Sequence, residues 1–127
     1  MVEECIEGKT VLNQPAGHLE NGESFIEAVI RETQEETAWK FSPETMIGIY
    51  RWVHPDSGAT FLRHCFAGIV DDYSPDQTLD DGIIRSVWLS REQLEQQRNL
   101  RSPLVLQCTD DYLSGQTYPL EILKDQI

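Results

Sequence analysis

At 127 residues the chain has room for one hydrophobic core and none for a second, so residues 1–127 read as a single domain. Ten Lys and Arg stand against 22 Asp and Glu, and the net charge of −12 argues against a basic surface for long nucleic acids. With 39% hydrophobic and 25% charged residues the composition is that of a folded protein. No apolar run approaches the ~20 residues that cross a bilayer, and no signal-peptide pattern opens the chain. A monomer in the cytoplasm, without a membrane partner, is expected.

In chain order, Leu12 to Ala16 should be extended, because Pro15 disfavours helix at the residue before it. Ser24 with Glu27 three residues on forms a capping box, so a helix should open at about Ser24. Phe25, Ile26, Val29 and Ile30, continued by Thr33, make its core-facing stripe. The same helix carries Arg31-Glu32-Thr33-Gln34-Glu35-Glu36. Glu32, Glu35 and Glu36 share an arc of roughly 100°. Like charges so placed cost a few tenths of a kcal/mol per pair unless a cation neutralises them. Hard oxygen ligands on one face suit Mg²⁺ or Mn²⁺, not Zn²⁺. Glu36 lies at the edge of the apolar stripe, where a metal would offset its desolvation, and Glu35 lies further round beside Arg31. Taken alone, E-x-x-E-E is also the pattern of a solvated acidic face.

Met46 to Val53 and Thr60 to Val70 read as strands joined by a turn around His54–Gly58. Arg51 and Arg63 fall in these strands as candidate phosphate ligands, Arg63 being preferred. Tyr50, Trp52 and Phe61 serve either core packing or stacking on a heteroaromatic ring. Leu79-Asp80-Asp81-Gly82 is a turn sequence, followed by a strand over Ile83 to Leu89. Ser90 and Gln93 form a second capping box. Ser102 as N-cap, Pro103 at the first helical position and Gly115 at the stop frame a last helix with Leu104, Val105, Cys108 and Tyr112 on one face. Cys5, Cys65 and Cys108 are odd in number with no C-x-x-C, so reduced thiols are expected rather than disulfides or zinc. His18, His54 and His64 show no metal-ligand spacing, although His18 follows Gly17 closely enough to meet a ligand.

Gly17, five residues, Glu23, seven residues, Arg31-Glu32, two residues and Glu35-Glu36 together resemble the signature of the Nudix hydrolases. Six fixed positions match, a coincidence on the order of 10⁻⁷ per starting position. The departures are Thr33 and Trp39 at bulky aliphatic positions and Ala38 where the family has the glycine of a left-handed helix exit. The resemblance implies an α/β Nudix fold, a mixed β-sheet sandwiched between α-helices. It implies that Glu32, Glu35, Glu36 and the carbonyl of Ala16 hold Mg²⁺ or Mn²⁺, while Arg31 and Glu23 orient the carboxylates around Gly17. The general base it implies is either Glu32 or an aspartate of the distant turn, Asp80 or Asp81.

Asn13–Glu20, Leu62-Arg63, Trp88, Leu100–Val105 and Tyr112–Leu120 extend the likeness to the bacterial phosphatase branch of that superfamily known as NudJ. That branch implies release of inorganic phosphate from nucleoside di- and triphosphates and from pyrimidine or thiamine diphosphates. The family also carries roughly twenty residues before the point where Met1 stands, so an N-terminal strand is expected to be missing and residues 1–6 to close the second strand of a hairpin. Two other readings stay open. One is a Nudix diphosphatase that cuts a nucleoside diphosphate linked to another group, and the other is a non-catalytic Nudix-like binding module.

Overall fold

A computed structural model describes residues 1–127. Strands β1 (Val2–Ile6) and β2 (Lys9–Asn13) form a hairpin closed by Glu7 and Gly8, whose φ angles of 51° and 77° are those of a tight two-residue turn. Residues 2–6 therefore open a hairpin with the segment that follows, instead of closing one. The other edge of β1 takes β5 (Ile83–Ser86), giving the antiparallel order β2-β1-β5. β5 is shorter than its apolar run, and just beyond it Val87 exchanges two bonds with the backbone of Met1.

The second sheet is a long antiparallel hairpin of β3 (Lys40–Val53) and β4 (Thr60–Asp71). β3 begins six residues before the expected Met46. Pro43 stands beside a break in register, where a missing N–H costs no ladder bond. Gly68 permits that crossing, since a Cβ there would lie 2.1 Å from the Ser42 carbonyl oxygen. The outer edge of β4 pairs with no strand.

Helix α1 (Phe25–Thr37) opens at Ser24 with both arms of the capping box made, and it packs on β3. It ends at Ala38, φ 62°, so alanine does adopt the left-handed exit, which costs it roughly 1 kcal/mol relative to glycine. Thr33, Glu36 and Thr37 are the buried residues of this helix. Phe25 and Val29 point inward but remain half-exposed, since they line a cavity of about 1030 Å³ rather than a closed core. The expected stripe is present, with an open space in front of it.

Two short helices follow, α2 (Arg91–Glu95), capped by Ser90 and Gln93, and α3 (Leu104–Leu113), and a single 3-10 turn at Leu120–Ile122 comes after them. Pro103 is the N-cap of α3 with helical φ, and Ser102 Oγ accepts from the Leu104 N–H at 3.2 Å, one position away from the expected cap. The core is divided. Leu12, Leu94 and Val105 form one cluster, and Tyr50, Leu104 and Cys108 form another against which Trp52 and Cys65 pack. Leu12 is bonded on both sides to the segment before α3, by its own N–H to the Asn99 carbonyl and by its carbonyl to the Arg101 N–H. That bridge with Leu100 is the parallel element of an otherwise antiparallel α/β fold. It fixes the end of β2, where the functional loop begins. No helix is long and apolar enough to cross a membrane.

Candidate active site

Arg31 stands at the centre of the acidic face of α1. Its Nε and one Nη grip both oxygens of Glu23, at 2.6 and 2.9 Å. The other Nη reaches Glu32 at 2.7 Å and Glu35 at 3.1 Å, and Glu20 lies 3.6 Å away. The His18 carbonyl accepts a further bond at 3.0 Å, which ties the loop to the helix through its backbone. The imidazole of His18 takes no part in this network. One guanidinium thus meets four carboxylates within 4 Å, leaving three negative charges uncompensated.

Glu23 holds the firmest share of that cation. Its bidentate bonds to Arg31, helped by the Glu20 N–H, keep its carboxyl ionised down to about 2. Glu35 is different, since burial and the nearby charge of Asp80 push its carboxyl up. Glu32, Glu35 and Asp80 present oxygens within 4.8 Å of one another. Asp80 is brought there by the docking of residues 74–82 on the end of α1. Gln34 and Gln77 exchange side-chain contacts, Gln77 Nε2 also donating to the Gln34 carbonyl, and the Asp80 N–H donates to the Glu35 carbonyl at 3.0 Å. Of the two aspartates in the turn it is Asp80 that joins the glutamates, while Asp81 is exposed and lies outside the cluster.

Glu36 stands behind this group. It is 8% exposed, and its Oε1 accepts from the Ala16 N–H at 2.9 Å. The expected contribution of Ala16 was its carbonyl, whereas its amide is the group engaged with the box. Burial pushes the Glu36 carboxyl up to about 7, against the opposing effect of the Ala16 bond. Gly17 follows with no room for a side chain, because a Cβ would fall 1.9 Å from Glu32 Cδ.

Arg63 lies on the inner face of β4, opposite Tyr50, and lines the cavity together with Gly17 and Glu32. Arg51 pairs with Leu62 on the other face of the hairpin, exposed and away from the cavity. Neither Asn13, Gln14 nor Gln77 was picked out as functional from sequence. Asn13 and Gln14 carried a signal, a polar pair directly before Pro15-Ala16-Gly17. Gln77, in a polar loop, carried none.

A NUDIX domain model matches residues 6–107. The chain is a Nudix hydrolase. Phosphatase NudJ of Escherichia coli K12 is 45% identical over 125 residues, 98% of this chain and 81% of that protein, and the NudJ of Shigella flexneri matches equally. A NUDIX hydrolase from Nitrosomonas europaea has the same fold, with a TM-score of 0.95 and 48% identity over 98% of this chain and 86% of that one. The chain is therefore an enzyme of phosphoanhydride bonds, and Gly17 to Glu36 is its Nudix box. Membership also removes the reading of a non-catalytic binding module.

Two outcomes follow from the box geometry. Glu36 holds its proton to about 7 in the metal-free fold against an ordinary value of 4.5. A raised carboxylate makes the native state the tighter proton binder, so metal-free stability falls as pH rises from about 4.5 to about 7. Glu36→Gln keeps an acceptor for the Ala16 N–H and removes that penalty. Its denaturation midpoint in chelator at about pH 8 should rise, by on the order of 1–2 kcal/mol after allowance for partial solvent contact, and its pH dependence should flatten. An equal or lower midpoint contradicts this.

Gly17→Ala meets only the far end of the Glu32 side chain, so stability should stay within about 1 kcal/mol while hydrolysis drops on the order of 10–100-fold as Glu32 is pushed from the place Arg31 gives it. Thermal denaturation beside an activity assay checks both, and full activity would show that the Glu32 position is not critical.

Proposed function

We propose that this Nudix hydrolase is a divalent-metal-dependent phosphatase, a cytoplasmic monomer that releases orthophosphate from nucleoside di- and triphosphates and from pyrimidine or thiamine diphosphates. The observation that carries the metal dependence is the convergence of Glu32, Glu35 and Asp80 within 4.8 Å, beside a guanidinium already outnumbered by carboxylates. Such a set is costly without a cation, and its hard oxygen donors match Mg²⁺ or Mn²⁺. Support for orthophosphate release is the likeness to a relative named as a phosphatase.

Glu32 and Glu35, with Glu36 behind them and the Ala16 carbonyl at the loop, would hold the ion. Once bound, it would neutralise charge on the phosphate oxygens of the substrate and acidify a water molecule. The rest is the work of the chain. Arg31 fixes the rotamers of Glu32 and Glu35, and Glu23 fixes Arg31. Asp80 is exposed, next to Glu35 and free of any ion pair with a basic side chain, so it is the group placed to take the proton of the attacking water. Glu32 is the second candidate for that proton. Arg63 faces the same cavity and meets the phosphate of the substrate.

The test is product analysis with nucleoside di- and triphosphates, thiamine diphosphate and ADP-ribose, with Mg²⁺ or with chelator. Orthophosphate should appear directly, only with metal, and be lost in Glu35→Gln. Asp80→Asn should slow it on the order of 10²-fold. Two organic monophosphates from ADP-ribose, without orthophosphate from the other substrates, would make the enzyme a diphosphatase instead.

A further inference from the structure

Of seven arginines in the chain, Arg31, Arg85 and Arg91 have carboxylate partners within 4 Å. Arg63 has none, although acidic residues outnumber basic ones by 22 to 10. It is not loose either. Its two Nη atoms donate to Gln14 Oε1 at 2.8 Å and to Asn13 Oδ1 at 2.9 Å. Both partners are themselves fixed. Asn13 is 7% exposed at the end of β2, and Gln14 Nε2 donates to the Val105 carbonyl of α3 at 2.9 Å.

Neutral amides orient a guanidinium without cancelling its charge, whereas a carboxylate would do both. The amides use two of the five N–H donors and the Cys108 thiol also lies beside the guanidinium, which leaves the remaining donors for the cavity. Arg101 adds a second cation at the cavity wall, also without a carboxylate, resting over the Trp52 and Phe61 rings at 5.6 and 6.0 Å from their centroids. The cavity thus carries two cations, Arg63 and Arg101, and shares its lining with Gly17 and Glu32 of the box. Only three residues, Gln14 to Ala16, lie between Asn13 and Gly17, so the chain holds the Arg63 anchor within a reach of roughly 13 Å of the box.

We propose that Asn13 and Gln14 are positioning residues that hold Arg63 oriented but un-neutralised, as the receptor for a phosphate group of the substrate. Selection at this point is then by charge. The proposal deepens the phosphatase reading and rests on it for the anion being a phosphate.

Asn13→Asp is the discriminating variant. It keeps the shape and the acceptor for Arg63 but supplies the missing negative charge. If the amides were only structural ties, an ion pair there would leave ligand binding unchanged. Calorimetric titration with pyrophosphate, in chelator so that no divalent ion contributes, should show binding to the wild type and at least about tenfold weaker binding to Asn13→Asp, whose melting temperature is equal or higher. Arg63→Gln should lose as much. With Mg²⁺ and thiamine diphosphate, Asn13→Asp should raise KM about tenfold and leave kcat within about threefold.

Equal pyrophosphate affinity in wild type and Asn13→Asp overturns the proposal, as does a wild type that binds none. If Asn13→Asp does not fold, Arg63→Gln decides, and unchanged affinity there overturns it too. Absence of orthophosphate release from every substrate would sink the phosphatase reading alone, because the calorimetry does not depend on turnover.

Discussion

Everything at the site depends on one imbalance, a single guanidinium shared among four carboxylates. Arg31 cannot neutralise Glu20, Glu23, Glu32 and Glu35, and it divides its bonds unequally among them. Glu23 takes the bidentate share and becomes a fixed anion. Glu32 and Glu35 each receive one bond, enough to set their direction and too little to cancel their charge. The arrangement stores repulsion where hydrolysis of a phosphoanhydride needs cation binding. Glu36 states the same tension differently, as a buried carboxyl that retains its proton until about 7.

The loop from Asn13 to His18 links this box to the rest of the cavity. Asn13 and Gln14 hold Arg63, the Ala16 amide holds Glu36, Gly17 gives way to Glu32, and the His18 carbonyl holds Arg31. These contacts come from five of the six positions of one short segment, anchored at Leu12 by backbone bonds on both sides. A shift of this segment would disturb the acidic and basic walls together.

Much of this was legible in the chain. The helix, its Ser24–Glu27 cap and its acidic face follow from periodicity and local hydrogen-bonding chemistry, which act within a few residues. The long-range pairings did not follow. Nothing local distinguishes Asp80 from Asp81, and the choice is made by Gln77 meeting Gln34 across 43 residues of sequence. Arg51 and Arg63 are both strand cations, and it is the register of β3 with β4 that puts them on opposite faces. Strand alternation says that such residues diverge or agree, but only pairing says which face is inner. The early start of β3 at Lys40 was hidden by Pro43, whose place at a break in register is a property of two strands together.

On this reading the surplus charge that α1 carries beside Asp80 serves to hold a divalent cation. The most direct measurement is Mn²⁺ binding followed by electron paramagnetic resonance, comparing the wild type with Glu35→Gln and Asp80→Asn. A stoichiometric site is expected in the wild type, at least about tenfold weaker in Glu35→Gln, with both variants as stable in chelator as the wild type or more so. Equal Mn²⁺ affinity in all three proteins, or none in a folded wild type, would contradict it.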